Sequence, residues 1–452
     1  MTRRIVPGHR KIDVSLMEPM QKIESGKSAF ESAARHFYDN TEYSESVKKY
    51  ISDTDEFSSM LSGVERAAKK DEISFENPGT AEKLFGKNMY ISPSRVEEYY
   101  KCPFKYFCRY GLKAMPLERA SYDPRQNGLL IHYVLENLVT DYGGEKLFTM
   151  PAHERRVAVS DVTDRYIRAY VGEKDSIEKR LLYSLERSKD TVCEIIERLA
   201  PDFSECRFVI RDVELRIGNG EDEVRPYEID VPGGGKVMLH GVVDRVDTMT
   251  DDDGKIYLRV LDYKSGGKDF KLGDVVSGLN IQMLAYLMCL TENGKDRYGD
   301  FIPAGILYIS AKAGKNTLGR DVGEEEILAE RVGQSKMKGI VLGEEAVIFS
   351  MEGKGSGAMI DAKYDEKKGI TGSVYQLHEF RLLHNAVDRI VREMAQSLHN
   401  GKVDALPIFG GAYKRTCEYC DYKFVCCHEE DDRCREVFEG DAWEALEAMN
   451  NG

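Results

Sequence analysis

The chain has 452 residues, enough for two or three domains, and its 42% hydrophobic content is that of a globular protein able to bury a core. A net charge of −14 at pH 7 excludes indiscriminate coating of nucleic acid, which needs an excess of Lys and Arg, but leaves room for a local basic channel. No apolar run of membrane-spanning length occurs and MTRRIVPGHR has no apolar signal core, so the expectation is a soluble, cytoplasmic protein.

Residues 1–88 are polar and rich in Ser, Glu and Lys, with helical stretches such as AFESAARHFYDN and SVKKYISDTDEFSSML and no obvious strand. They read as a helical appendage or the remnant of a larger upstream domain. Gly26, Lys27 and Ser28 in ESGKSAF imitate a phosphate loop, but Gln21 stands where that motif needs glycine and no strand precedes it, so no nucleotide role is assigned. From 89 to 440 the pattern is that of one α/β domain. NGLLIHYVLENLV (127–139) has helical spacing, and two further amphipathic helices follow. Strands are expected at CRFVIRDVELRIG (206–218), KVMLHGVVDRVDTM (236–249) and KIYLRVLDYKSG (255–266), the last two joined by a hairpin at Asp253-Gly254. A helix (278–290) and a strand (304–311) come next, so that helix, three strands, helix and strand predict a layered α/β core. Residues 312–377, rich in Gly, Lys and Glu, read as an insertion with short strands at KGIVLG and EAVIFS. A long helix follows at 378–400, and residues 441–452 form a C-terminal tail.

The strand at 255–266 ends unusually. Side chains alternate between faces, so Ile256, Leu258 and Val260 share a side with Asp262 and Lys264, and an apolar face turns polar at its end. On the preceding strand Met238, Val242, Asp244 and Val246 share a side, which lets Asp244 face Asp262. Two carboxylates beside one lysine repel unless a cation sits between them, and Mg²⁺ suits such a site. Lys264 is then placed to orient water or to stabilise phosphate charge. His132 is a third candidate ligand with Glu136 one turn on, and an imidazole favours Mn²⁺.

These residues stand in the order GLLIHYVLE, GVVDRVD, LDYKSG, QMLAY, with Glu214 on a strand between the first two. The series resembles the RecB-like branch of the PD-(D/E)XK nuclease superfamily and implies its restriction-endonuclease-like core. By the resemblance His132, Asp244, Asp262 and the Tyr263 carbonyl bind Mg²⁺ or Mn²⁺, and Asp244, Asp262, Lys264, Gln282 and Tyr286 form the catalytic set, the last two lining the site near DNA. Glu214 is left open, since a strand-edge carboxylate is commonly solvated.

TCEYCDYKFVC places Cys417, Cys420 and Cys426 at metal-binding spacing, one thiolate short of four ligands. Cys102 is the candidate for the fourth, with Cys108 and Cys427 as rivals, and spacing alone favours zinc over iron and sulfur. Cys193, Cys206, Cys289 and Cys434 read as core or incidental. A cysteine in a CPFxYF context before the core and a CxxCx₅C triplet after it resemble the iron–sulfur staple of the AddB family of helicase-nuclease subunits. That resemblance covers roughly residues 85–440 and implies a [4Fe-4S] cluster on Cys102, Cys417, Cys420 and Cys426 joining the two ends of the domain. It further implies DNA as substrate, a single strand at the nuclease site, an AddA-like helicase-nuclease partner in a heterodimer, and a role in double-strand-break resection and recombinational repair. AddB subunits are far longer, so the chain is expected to be a fragment, a truncated product or a stand-alone relative. The alternatives are a stand-alone Cas4-like or RecB-family exonuclease and a non-catalytic DNA-binding scaffold subunit. Tyr99, Tyr100, Lys101, Phe104, Lys105, Tyr106 and Arg109 fit either a stacking channel for a single strand or a helix packing its aromatic face.

Overall fold

Alternating apolar residues carry the chain into a six-stranded mixed sheet in a computed structural model of the protein. The structure describes residues 25–35, 41–53, 57, 59–60, 63–64, 74–75, 77–116, 124–172, 177–264, 270–310, 336–353, 355–426, 428–429 and 432–451. These fall into two units, Met1–Ile73 and Ser74–Gly452.

In the first unit the helices Gly26–Arg35 and Glu42–Ser52 bury Ala29, Ala33, Val47 and Ile51 against one another. The Thr41 hydroxyl accepts the Ser44 N–H and caps the second helix. Gly26, Lys27 and Ser28 open the first helix, and position 21 lies outside the described residues.

In the second unit β1 (Met89–Ile91), β3 (Tyr227–Asp230) and β4 (Lys236–Leu239) form a small sheet. The main sheet takes β2 (Val209–Ile217), β5 (Gly241–Thr250), β6 (Ile256–Lys264), β7 (Phe301–Ser310) and β8 (Lys338–Leu342). A separate hairpin pairs β9 (Ala362–Asp365) with β10 (Gly369–Gly372). The strand β11 (Val374–Tyr375) completes the main sheet, whose order is β11-β8-β7-β6-β5-β2. The β5–β6 hairpin turns at Gly254, φ +83°, as the sequence predicts, and the Asp251 carboxylate holds the turn by accepting the N–H groups of Asp253 and Lys255. β6 runs parallel to β7 through a crossover that contains the Gln282–Asn293 helix, which packs on both strands. Every β6 residue from Tyr257 to Tyr263 is buried, as expected of a central strand covered on both faces.

Four expectations change. The strand expected over 236–249 is two, parted at His240, because the chain leaves the small sheet after Leu239 and enters the main one at Gly241. EAVIFS is the start of a helix, Glu345–Glu352: Val347, Ile348 and Met351 are all buried at helical spacing, and packing outweighs the strand preference of Val and Ile. Glu352 then folds the following loop, its carboxylate accepting the N–H groups of Gly357, Met359 and Ile360. The region read as an insertion also supplies β8 and β11 to the main sheet. Finally, the helix expected from 278 begins at Gln282, since Asn280 adopts a left-handed φ of +56° that helical backbone forbids.

The helix Ala442–Asn451 packs against the long helix Leu377–His399, where Asn450 Nδ2 donates to the Leu382 carbonyl and Arg389 donates to that of Met449.

Candidate functional site

The helix Pro124–Tyr142 lies against β2 and brings His132 to the ends of β5 and β6. His132 Nδ1 is 3.4 Å from Asp244 Oδ2 and 3.5 Å from Glu214 Oε1. Its Nε2 is 3.0 Å from the Tyr263 carbonyl oxygen, which accepts when that nitrogen carries the proton. Asp244 Oδ2 accepts the Tyr263 N–H at 2.8 Å, so the peptide following Asp262 is fixed on both sides. One ligand atom from each of His132, Glu214 and Asp244 falls within 4.8 Å of the others.

Glu214 reaches the cluster by an uncommon route. Val213 pairs with Arg245 and Leu215 with Val243, while Glu214 between them takes φ +47°. A left-handed glutamate inside a strand is strained by about 1–3 kcal/mol, and such strain gathers at functional sites. The sequence carries no mark of that backbone, so the reading of Glu214 as a solvated edge acid gives way to a residue within the cluster.

Asp262 and Lys264 stand beside it. Lys264 Nζ donates to Asp262 Oδ1 at 2.9 Å, lies 2.8 Å from Oδ2, and donates to Gln282 Oε1 at 3.2 Å. The Gln282 amide also bonds the Tyr286 hydroxyl oxygen, whose pKa burial pushes up to about 12. Tyr286 is therefore buried behind Gln282 and reaches the acids only through it. Gly241 is the space Tyr286 occupies: a Cβ there would lie 2.6 Å from the tyrosine ring. Glu97, buried, places Gln282 by accepting the N–H groups of Ile281 (3.0 Å) and Gln282 (3.3 Å) at the helix start.

Electrostatics show why a cation suits the cluster. Burial and the charge of Asp262 raise the Asp244 pKa. Burial pulls the His132 imidazole down, but the Glu214 hydrogen bond and the charges of Asp244, Glu214 and Asp262 outweigh it and raise the pKa. Both shifts report negative charge in excess of the positive charge at hand, and an imidazole with carboxylates and a peptide carbonyl is a donor set that fits a divalent ion. Behind the site Arg245, Asp247 and Arg259, all fully buried, form a closed triad, with Arg245 Nε to Asp247 Oδ1 at 2.7 Å and Arg259 to Asp247 Oδ2 at 2.8 Å. Arg245 also bonds the Tyr263 hydroxyl and braces the residue that carries the carbonyl.

Cys102, Cys417, Cys420 and Cys426 line one cavity of about 830 Å³, together with Cys434 and His428. Burial drives the Cys102 thiol up to about 12, with the sulfurs of Cys426 and Cys420 adding to the effect. Cys108 is close enough to feel Cys426 and Cys420 but does not line the cavity, and Cys427 lies outside the described residues. The nearby aromatics are packing elements: Tyr99 and Tyr106 are buried edge to face, and Lys105 pairs with Glu98 at 2.8 Å.

Comparison with known proteins agrees with this arrangement. The family model described as the PD-(D/E)XK nuclease superfamily matches residues 90–427. The AddB component of the ATP-dependent helicase/deoxyribonuclease of Clostridium novyi is 33% identical over 406 residues, covering 86% of this chain and 35% of that protein. Its namesake from Acetivibrio thermocellus is 29% identical over 445 residues, 91% of this chain and 37% of the relative. That from Symbiobacterium thermophilum is 30% identical over 352 residues, 76% and 30% respectively. The chain thus spans about a third of the length of the curated relatives it matches.

Proposed function

The chain belongs to the PD-(D/E)XK nuclease superfamily, and from that membership we propose that its second unit is a divalent-cation-dependent deoxyribonuclease. The observation that carries the reading is the meeting of His132, Glu214 and Asp244 beside the Asp262–Lys264 pair. His132, Asp244, Asp262 and the Tyr263 carbonyl would hold Mg²⁺ or Mn²⁺, and Glu214 joins them on its position. When bound, that ion supplies Lewis-acid stabilisation of phosphoryl charge and acidifies water. Asp262 and Gln282 hold Lys264 so that its ammonium faces the phosphate, where it orients the attacking water and offsets growing negative charge. Water attacks phosphorus, the bond to the leaving sugar oxygen breaks, and a phosphate monoester and a hydroxyl result. Tyr286 acts through Gln282, as a brace.

The relatives' names extend the proposal to an AddB-like component of double-strand-break resection and recombinational repair, working in the cytoplasm on DNA with an AddA-like helicase-nuclease partner. Among the described residues no helix is long and apolar enough to cross a membrane. The cysteine-lined cavity supports a [4Fe-4S] cluster on Cys102, Cys417, Cys420 and Cys426 as a structural crosslink. Brown protein with broad visible absorbance after anaerobic purification is expected, and a colourless preparation with stoichiometric zinc overturns it. For the nuclease, end-labelled single- and double-stranded DNA incubated with Mg²⁺ or Mn²⁺ should be cut, and Asp262→Asn should stop the cutting. DNA that survives both metals, or cutting that ignores the substitution, defeats the reading.

A further inference from the structure

Tyr90 and His240 form a parallel ring pair on the surface, centroids 3.9 Å apart and planes 2° apart. Neither enters the site described above, yet the backbone aims both at it. From Lys236 to Asp244 the even-numbered residues are the more open ones and Val237, Leu239 and Val243 are buried, so the alternation runs unbroken through His240 from one sheet into the other. Tyr90 pairs with Met238 in parallel register and shares its side. One face therefore carries Tyr90, His240, Val242 and Asp244 in succession.

This face has the composition of a strand track. Tyr90 is 40% exposed and Val242 37% exposed. Arg216, exposed, pairs with Val242 on the adjacent strand and so shares its side. Arg95 is near enough to His240 to act on its charge, and its own guanidinium stacks over Tyr110 at 4.8 Å. Burial, then Arg95, lower the His240 pKa and favour the neutral ring. On the hydroxyl side of Tyr90, Glu223 presents a carboxylate near Gly218 and repels phosphate, which leaves the Arg95 and Arg216 side for a backbone.

We propose that the Tyr90–His240 pair is a stacking platform for a nucleobase of a single DNA strand whose phosphates run past Arg216 to the acid cluster. The inference rests on the nuclease reading for where the strand ends. Four residues of strand separate His240 from Asp244, about 13 Å, a span of a few nucleotides of extended strand. The platform selects single strands because a paired base inside a duplex has no free ring face.

The test uses the full chain with Lys264→Ala and oligodeoxynucleotides carrying one 2-aminopurine at successive positions. Quenching is expected at one position within a few nucleotides of the bond the unsubstituted chain cuts. Tyr90→Ala should weaken binding by roughly 5- to 150-fold and remove the quenching, Tyr90→Leu should do the same while keeping apolar volume, and Tyr90→Trp should restore both. Parental affinity and quenching in Tyr90→Leu overturn the platform. The two readings separate cleanly. DNA left uncut by the unsubstituted chain, with quenching that still needs Tyr90, sinks the nuclease and supports the platform; cutting with Tyr90-independent quenching sinks the platform alone.

Discussion

Lys264 is held by both oxygens of Asp262 and by Gln282, so its ammonium has a defined position before any substrate arrives. Lys264→Ala is expected to lower kcat by about 10²–10³-fold, the loss seen when one preorganised charge-stabilising group is removed, with DNA affinity retained in a filter-binding assay. Glu97→Ala should cost about 1.5–3 kcal/mol in urea unfolding, because two buried N–H groups lose a charged acceptor. Asp212 offers a pH reading distant from the acid cluster. Burial raises its pKa, but Arg297 and the Tyr298 hydroxyl, 2.6 Å away, outweigh this and hold it below the usual carboxylate range. A depressed folded pKa means stability present above the unfolded value near pH ~4 and lost as pH falls through the folded one. Asp212→Asn should flatten that part of an acid-unfolding curve, and an unchanged slope would show that the contact contributes nothing.

At the scale of elements, β5 and β6 carry acids on one face and the Arg245–Asp247–Arg259 triad on the other. Asp247→Ala leaves two guanidinium groups buried without their carboxylate and is expected to destabilise the protein by about 3–5 kcal/mol, measurable by denaturant titration. The faces of these strands were legible in the sequence because alternation is a local property: Asp244, Asp262 and Lys264 fell where the pattern put them. Gln282 was legible from its motif, although the helix start was not, since Asn280 and the carboxylate of Glu97, far earlier in the chain, decide where that helix begins. The break at His240 left no trace because burial alternates straight through it. Glu214 was hidden by its backbone, whose left-handed turn no side-chain pattern encodes. EAVIFS misled because β-branched residues state a local preference, while the core that receives Val347, Ile348 and Met351 is a long-range fact.

For the whole molecule, the cavity shared by Cys102 and the Cys417–Cys426 segment joins positions near the two ends of the superfamily match. Closing so long a loop constrains the unfolded chain by about 4 kcal/mol in the entropy description used for disulfides. Cys102→Ser should therefore lose iron and melt well below the parent in anaerobic scanning calorimetry, and equal transitions would leave the crosslink without a stabilising role. Glu97 gives this arrangement a wider reach. It belongs to the helix Pro93–Lys101 that leads directly into Cys102, and its carboxylate seats the residue that steadies Lys264. Thiols and acids thus hang from opposite ends of one short rod. Damage by oxidants at the sulfur end would be transmitted as a misplaced ammonium at the other, so the enzyme's competence would track the integrity of a group that never meets its substrate.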